Sequence, residues 1–143
     1  GAVTDVMACP IGDLRPSAAA VDVEVSETMP DLLADQLRDA RADEMRSTAL
    51  PCWYAVATIG GEPIGAGMAI GDGDLVGVFA MRTRPDRQGR GAGAAVFSAL
   101  VEEGRGRGAI TAWLQVEMSN DRAGDWYRRL GFTRISGYRY RAR

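Results

Sequence analysis

The chain has 143 residues, of which 46% are hydrophobic, and this is enough for one globular domain with a buried core. It has no apolar run of roughly 18 residues and no basic-then-apolar leader, so the sequence predicts neither a membrane span nor a signal peptide, and we expect a cytoplasmic protein. Histidine is absent, and two cysteines, Cys9 and Cys52, are too few for a disulfide framework or a cysteine metal site, so we expect no metal.

The formal net charge of −2 conceals an uneven distribution along the chain. Residues 1–75 contain 13 acidic and 4 basic side chains, a balance of −9, whereas residues 76–143 contain 6 acidic and 13 basic side chains, a balance of +7. Every basic residue is arginine, whose planar guanidinium can bind phosphate through two parallel hydrogen bonds. The second half therefore suits a partner that carries phosphates; scattered surface ion pairs are the alternative explanation.

The first third of the chain divides into three segments. Residues 1–19 show no sustained hydrophobic period and are interpreted as an extended leader or linker, which leaves 20–143 as the domain. Val21–Ser26 alternates apolar and acidic residues, as a half-buried strand does. A helix with an apolar stripe is predicted over 29–40, with Thr28 as its N-cap.

Three strands are predicted next, in a meander. Cys52–Ile59 is rich in residues that favour strands, and Gly60 and Gly61 form a hairpin turn before the second strand over 62–70. A second turn at Gly71–Asp74 leads to a third strand, Leu75–Thr83. Because short turns join neighbouring strands, all three are expected to be antiparallel.

The second half alternates helices and strands. A helix is predicted from Ala92 to near Glu103, where an Arg-Gly repeat breaks it, followed by a strand over 109–118. Asn120–Leu130 is predicted to be a capped helix that Gly131 stops, and strand segments close the chain. The order of elements predicts an α/β fold of the layered α+β type, with a mixed, mostly antiparallel central sheet.

A basic, glycine-rich loop lies directly before the helix that begins at Ala92. The N-terminus of a helix leaves about four backbone N–H groups without partners, and glycine lets an anion approach them closely. Residues 89–94 are therefore a candidate phosphate cradle, with a flexible charged turn as the alternative. The loop lacks the lysine of a Walker motif, the third glycine of a dinucleotide fingerprint and the aromatic residues of common RNA modules.

The same residues carry a resemblance to a known family. Gln88, Gly91 and Gly93 form a Q-x-x-G-x-G pattern between a strand and a helix, which resembles the acyl-CoA signature of the GNAT (GCN5-related) N-acetyltransferase superfamily. The stretches MRTRP, WLQVEMSN and WYRRLGF follow in the family's order and spacing. The resemblance covers 50–143 well and 20–50 in outline.

The resemblance implies a GNAT fold, with helices on both faces of the sheet and strands that splay apart at the acyl-CoA site. It implies acetyl-CoA as cosubstrate, with its pyrophosphate on the loop and its pantetheine arm along the edge of the strand that ends at Thr83. A backbone N–H near Ala80 or Met81 would polarise the thioester carbonyl. The implied cofactor-binding residues are Met81, Arg82, Thr83, Gln88, Gly89, Arg90, Gly91, Ala92, Gly93, Ala94, Asn120 and Tyr127.

The implied reaction is direct attack of an amine on the thioester, without a covalent enzyme intermediate. Tyr127 stands at the position of the family's general acid, and Asn120 would bind the CoA arm or cap the last helix. Many relatives place a glutamate base where this chain has Gln115, which cannot accept a proton. Glu117, two residues further on, is a candidate base, and a base acting through water or an acidic residue such as Glu27 stays open.

Several features leave the acceptor open. Only 25 residues separate Ser26 from Cys52, where the family usually has two helices, so the acceptor site is expected to be open or completed by another domain or subunit. The leader suggests the C-terminal domain of a longer protein. We expect a small-molecule amine or a protein amino group as acceptor, with a homodimer compatible, no membrane partner, and nucleic acid disfavoured. A non-catalytic acyl-CoA-binding module is the alternative function.

Overall fold

The computed structural model describes the chain in five ranges, 4–15, 21–34, 50–89, 91–117 and 121–135. Seven strands form one sheet in the order β2-β3-β4-β5-β6-β1-β7. All neighbouring strands are antiparallel except β5 and β6, which are parallel. The elements are β1 (Thr4–Pro10), β2 (Asp22–Ser26), β3 (Cys52–Ile59), β4 (Glu62–Asp72), β5 (Leu75–Thr83), α1 (Ala92–Gly106), β6 (Thr111–Glu117), α2 (Asp121–Leu130) and β7 (Thr133–Arg134).

The predicted meander is confirmed. Gly60 and Gly61, with φ angles of +59° and +79°, connect β3 to β4 in a turn that requires positive φ at both central residues. Gly73, with φ of +61°, performs the same role between β4 and β5. Local turn chemistry therefore sets the register of these three strands.

Both predicted helices of the second half are present, with one boundary different. α1 continues through the Arg-Gly repeat to Gly106 instead of ending near Glu103. Two ion pairs support this last turn, between Glu102 and Arg105 at 3.1 Å and between Glu103 and Arg107 at 2.9 Å. Within the described ranges, no helix is long and apolar enough to cross a membrane.

The segment expected to be a leader contains a strand of the sheet, so that interpretation is wrong for Thr4–Pro10. β1 lies between β6 and β7 and pairs with β6 along its whole length. Met7 and Cys9 are fully buried in the main core. The strand lacks a visible period because Val6, Met7, Ala8 and Cys9 form a continuous apolar run, with Val6 buried on one face and Met7 and Cys9 on the other.

The sheet has two unlike faces. The first face carries α1 and α2 and the larger core cluster, which includes Trp53, Val96 and Leu114. The second face carries a smaller cluster around Tyr54 and Met68. Side chains of β5 therefore pack in the larger cluster when they point to the first face and in the smaller cluster when they point to the second.

The chain crosses the second face after β2. Residues Asp31–Leu33 form a single 3-10 turn there, and Leu33 is fully buried against β4 and β5. The rest of the helix predicted over 29–40 falls after Ala34, outside the described residues. The short turn confirms that the segment packs on the sheet at this point.

Candidate active site

β5 and β6 separate halfway along their length, as the resemblance to the GNAT superfamily implies. Their parallel pairing runs from Leu75 with Thr111 to Val78 with Leu114 and stops there. β5 nevertheless continues to Thr83, and β6 continues to Glu117. The segment Phe79–Thr83 therefore has β4 on one side and no strand of the described chain on the other. Its backbone groups on that side can bind an extended ligand in the manner of an added strand.

A β-bulge lies at the point of separation. Met68 of β4 faces Ala80, whereas the next residue, Ala69, faces Val78, so Phe79 is the extra residue of β5. Phe79 and Ala80 consequently both lie on the second face, in the smaller cluster. The bulge shifts the alternation that follows, so that Met81 packs against the main core on the first face.

The glycine-rich loop connects the end of β5 to α1. Gly91 is the N-cap of α1 with φ of +78°, and no side chain caps the helix there. Gly89 also has a positive φ, of +82°, and a Cβ built on it would meet nothing within 4 Å. The first amides of α1, at 92–94, are thus left for an external acceptor, and the open backbone around them permits close approach.

A shallow cavity of about 390 Å³ lies over this loop. Its walls include seven residues from the set that the resemblance implies for the loop and the strand end, which are Thr83, Gln88, Gly89, Gly91, Ala92, Gly93 and Ala94. Trp126 of α2 also lines it, which sequence reasoning missed. The sequence indicated the neighbouring Tyr127 as a site residue, but the position of Trp126 on the helix is equally typical of a core residue.

The arginines near the loop differ in their surroundings. Arg84 forms ion pairs with Glu62 and, at 3.0 Å, with Asp86, and Arg87 lies 3.5 Å from Glu62. Their charge is therefore partly neutralised, contrary to the expectation that they serve a phosphate. Arg82 is exposed and has no acidic partner among the described residues. Arg90 lies outside them.

Ion pairs across the fold neutralise part of the uneven charge of the sequence. Glu62 pairs with Arg84, and Asp5 pairs with Arg134 at 2.9 Å, so acidic residues of the first half meet arginines of the second. This favours the interpretation of scattered surface ion pairs for these residues. In the described part of the chain, no three acidic or cysteine side chains converge as a metal site would require.

Tyr127 lies on α2 in a cluster of rings. Its ring centroid is 4.8 Å from that of Trp126, 5.9 Å from that of Phe97 and 5.8 Å from that of Phe132. Burial raises the pKa of its phenol above the ordinary value of about 10. The phenol is protonated at neutral pH even at the ordinary pKa, and a general acid must carry its proton.

The candidate base Glu117 and the residue Gln115 both lie on β6, beyond its parallel pairing with β5. Glu117 is the last residue of β6, and its backbone is paired with Thr4 of β1, but its side chain is outside the described atoms, as is all of Asn120. Gln115 lies on β6 just beyond the point where β5 separates. All of the strand beyond this point is held by β1.

Glu27, the alternative base, lies elsewhere in the fold. Its carboxylate is 3.7 Å from Arg107, which follows the C-terminal end of α1. α1 has 15 residues, so at about 1.5 Å per residue this end is roughly 22 Å from the glycine loop. Glu27 therefore lies at the end of α1 opposite the glycine loop, beside an arginine.

Solved structures similar in fold include a tandem GNAT protein from the clavulanic acid biosynthesis pathway, with a TM-score of 0.70, 12% identity, and coverage of 94% of this chain and 50% of that one. A GCN5-related N-acetyltransferase from Kribbella flavida has a TM-score of 0.58 and 20% identity, with coverage of 92% of this chain and 54% of that one. An aminoglycoside N-acetyltransferase in complex with CoA has a TM-score of 0.65 and 18% identity, with coverage of 91% of this chain and 99% of that one. The chain thus spans about half of the first two proteins and nearly all of the third.

Curated proteins give no significant sequence match. The family model for the acetyltransferase (GNAT) family matches residues 19–132, which is most of the chain. The match includes the separated strands, the glycine loop and both α-helices. The chain therefore belongs to the acetyltransferase (GNAT) family.

Proposed function

We propose that this protein is an acyl-CoA-dependent N-acyltransferase that transfers an acetyl group from acetyl-CoA to an amine by direct attack. The observation that carries this proposal is that the unpaired edge Phe79–Thr83 ends beside the uncapped N-terminus of α1. One long ligand could bind both features, with an extended amide-containing arm on the strand edge and an anionic end on the helix N-terminus. CoA has this combination of groups.

The two parts of the site are contiguous. Thr83 ends β5, and its Oγ1 lies 3.8 Å from where a Cβ on Gly93 would be, so the strand end touches the first turn of α1. In the proposed complex, the amides at 92–94 bind the pyrophosphate and the edge at Met81–Thr83 pairs with the pantetheine arm. Gln88 and Gly89 line the phosphate end.

The chemistry needs few protein groups. The amine nitrogen bonds to the thioester carbon, a backbone N–H near the bulge stabilises the developing oxyanion, and the C–S bond then breaks. The departing sulfur takes the phenolic proton of Tyr127, while a base takes the proton from the amine nitrogen. The Tyr127 phenol is protonated at neutral pH, so it carries a proton that it can donate.

The base is proposed to be Glu117, directly or through water. Substitution of Glu117 by Gln should lower kcat and steepen the dependence on alkaline pH, since only amine that is already neutral could then react. Gln115→Glu is the complementary variant, because it restores a carboxylate where many relatives have one. Increased turnover in Gln115→Glu and unchanged turnover in Glu117→Gln would contradict the assignment to Glu117.

A non-catalytic acyl-CoA-binding module is the second candidate, and Gln115 is the residue that favours it. Both candidates predict binding of acetyl-CoA, so binding alone does not distinguish them. Acetyl-dependent release of CoA in the presence of an amine does.

The first experiment measures thermal unfolding with acetyl-CoA, CoA and ATP. A ligand at about 100 times its Kd should stabilise the fold by roughly 2.7 kcal/mol, which is several degrees for a domain of this size. A shift with acetyl-CoA and CoA, but not with ATP, supports the site. An amine panel assayed by thiol release then tests catalysis: turnover supports the enzyme, and binding without turnover of any amine supports the module. No shift at millimolar ligand contradicts both.

A further inference from the structure

An aromatic pair lies where β5 and β6 separate. The rings of Phe79 and Trp113 meet edge to face, with centroids 5.1 Å apart and planes at 90°. Trp113 is paired in register with Gly77, and Phe79 is the bulged residue directly after the last paired position. The pair therefore stands at the closed end of the cleft.

Gly77 allows both rings to occupy this position. A Cβ built on Gly77 would lie 2.7 Å from Cε2 of Phe79 and 2.8 Å from Cε2 of Trp113, distances that real side chains do not adopt. The rings therefore fill the space above the strand where the side chain of residue 77 would otherwise lie. Their place is a result of packing on β5, not of a free side-chain rotation.

The first face of the sheet is densely packed where β4 lies beside the open segment of β5. A Cβ on Gly67 would meet the side chains of Met81, Val96 and Leu100, each at 2.8 Å. Val96 and Leu100 are themselves fully buried. α1 thus packs closely on β4 and β5 on the first face, whereas both rings lie on the second face, where they are only partly buried.

A ligand arm on β5 would reach the pair. From Thr83 to Phe79 the edge is four residue steps, or about 13 Å at roughly 3.3 Å per step. With its phosphates at α1, the arm would run toward the bulge and place its acyl end where the strands rejoin. A long acyl chain could not continue along the strand, because Val78 is already paired with Leu114.

We propose that Phe79 and Trp113 form the end wall of the acyl subsite and restrict the reaction to short acyl groups such as acetyl and propionyl. This inference rests on the proposed function, since it assumes that the acyl-CoA arm follows the β5 edge. Phe79 is the more direct determinant, because it belongs to the segment that the arm would pair with. Trp113 supports its ring from β6.

The test compares acetyl-, propionyl-, butyryl- and hexanoyl-CoA with the wild type and Phe79→Ala. We expect the wild type to prefer acetyl over hexanoyl, and Phe79→Ala to raise the hexanoyl-to-acetyl ratio of kcat/KM by about tenfold or more. Phe79→Leu should change the ratio in the same direction but by less. This variant replaces Phe79→Ala in the test if the alanine variant does not fold. The Kd ratio of the same ligands is a second readout that needs no turnover.

Trp126→Leu is the matched control, because Trp126 lines the cavity at the phosphate end. It should affect all four acyl-CoAs equally and leave the ratio unchanged. Equal use of hexanoyl- and acetyl-CoA by the wild type overturns the inference while leaving the acyltransferase proposal intact, as does an unchanged ratio in both Phe79 variants. If the substitutions change only the KM of the amine, Phe79 and Trp113 belong to the acceptor site, and the inference is also overturned. Absence of any acyl-CoA binding overturns both proposals.

Discussion

Val78 and Leu114 form the last pair of the parallel ladder between β5 and β6, and the bulge of β5 begins at the next residue. A bulge bends its strand and increases the local twist, which turns β5 away from β6. β6 does not follow, because β1 pairs with it as far as Glu117. The cleft is therefore held open between two antiparallel ladders, β4 with β5 and β1 with β6.

Ala94 provides a test of the phosphate site in which charge and helix stability act in opposite directions. Ala94→Glu places a carboxylate in the first turn of α1, where it should stabilise the free protein by about 0.3–1 kcal/mol. The same charge should repel the CoA phosphates and weaken binding by about tenfold, or 1.4 kcal/mol. Isothermal titration gives the affinity, and thermal unfolding gives the stability.

Ala94→Gln is the control for this substitution, since it has nearly the same size without the charge. It should retain most of the affinity that Ala94→Glu loses. Equal affinity in the two variants would show that the phosphates bind elsewhere.

Tyr127→Phe removes the proposed proton donor while keeping the ring contacts with Phe97 and Phe132. We expect kcat to fall by about 100-fold or more with an unchanged Kd for CoA. Steady-state kinetics with the best amine and titration with CoA measure the two quantities. A loss of CoA affinity with normal kcat would assign Tyr127 to binding.

Tyr127 also predicts a difference in stability at high pH. Its phenol has a raised pKa in the folded state, so it binds its proton more tightly there than in the unfolded chain. This contribution to the free energy of unfolding is complete below about pH 10 and is lost as the pH rises through the raised pKa. Denaturant unfolding of wild type and Tyr127→Phe across this range should show a steeper loss in the wild type. Parallel curves would contradict the burial of this phenol.

β1 should be essential to the fold. Met7 is 1% exposed, so Met7→Ala should cost about 2–5 kcal/mol of unfolding free energy, which is large for one domain. Met7→Leu keeps the volume and should cost less than about 1.5 kcal/mol. Chemical denaturation measures both. If the two variants are equally stable, β1 does not pack as a strand of the sheet.

Two glycines of α1 form a matched pair for the contact between this helix and β5. A Cβ on Gly104 would lie 2.9 Å from Val76, whereas one on Gly106 would meet nothing within 4 Å. Gly104→Ala should therefore destabilise the protein by about 1–3 kcal/mol through overpacking. Gly106→Ala should be neutral or stabilise it by up to about 1 kcal/mol, and thermal melts compare the two. Similar melting temperatures would mean that α1 shifts without cost.

The sequence by itself determined the elements that depend on neighbouring residues. The turn at Gly60 and Gly61, the stop at Gly131 and the glycine loop before α1 follow from backbone freedom, and the helices from periodicity. The Q-x-x-G-x-G pattern indicated the family, which the match over 19–132 shows. These features lie close together in the chain, so a short window contains their cause.

Only the tertiary structure decided the features that join distant residues. Pro10 pairs with Thr111 across a hundred residues, and nothing in Thr4–Pro10 itself indicates that partner. The bulge at Phe79 and its contact with Trp113 depend on three strands at once. The physical reason is that pairing and packing are properties of two surfaces, and one segment of sequence specifies only one of them.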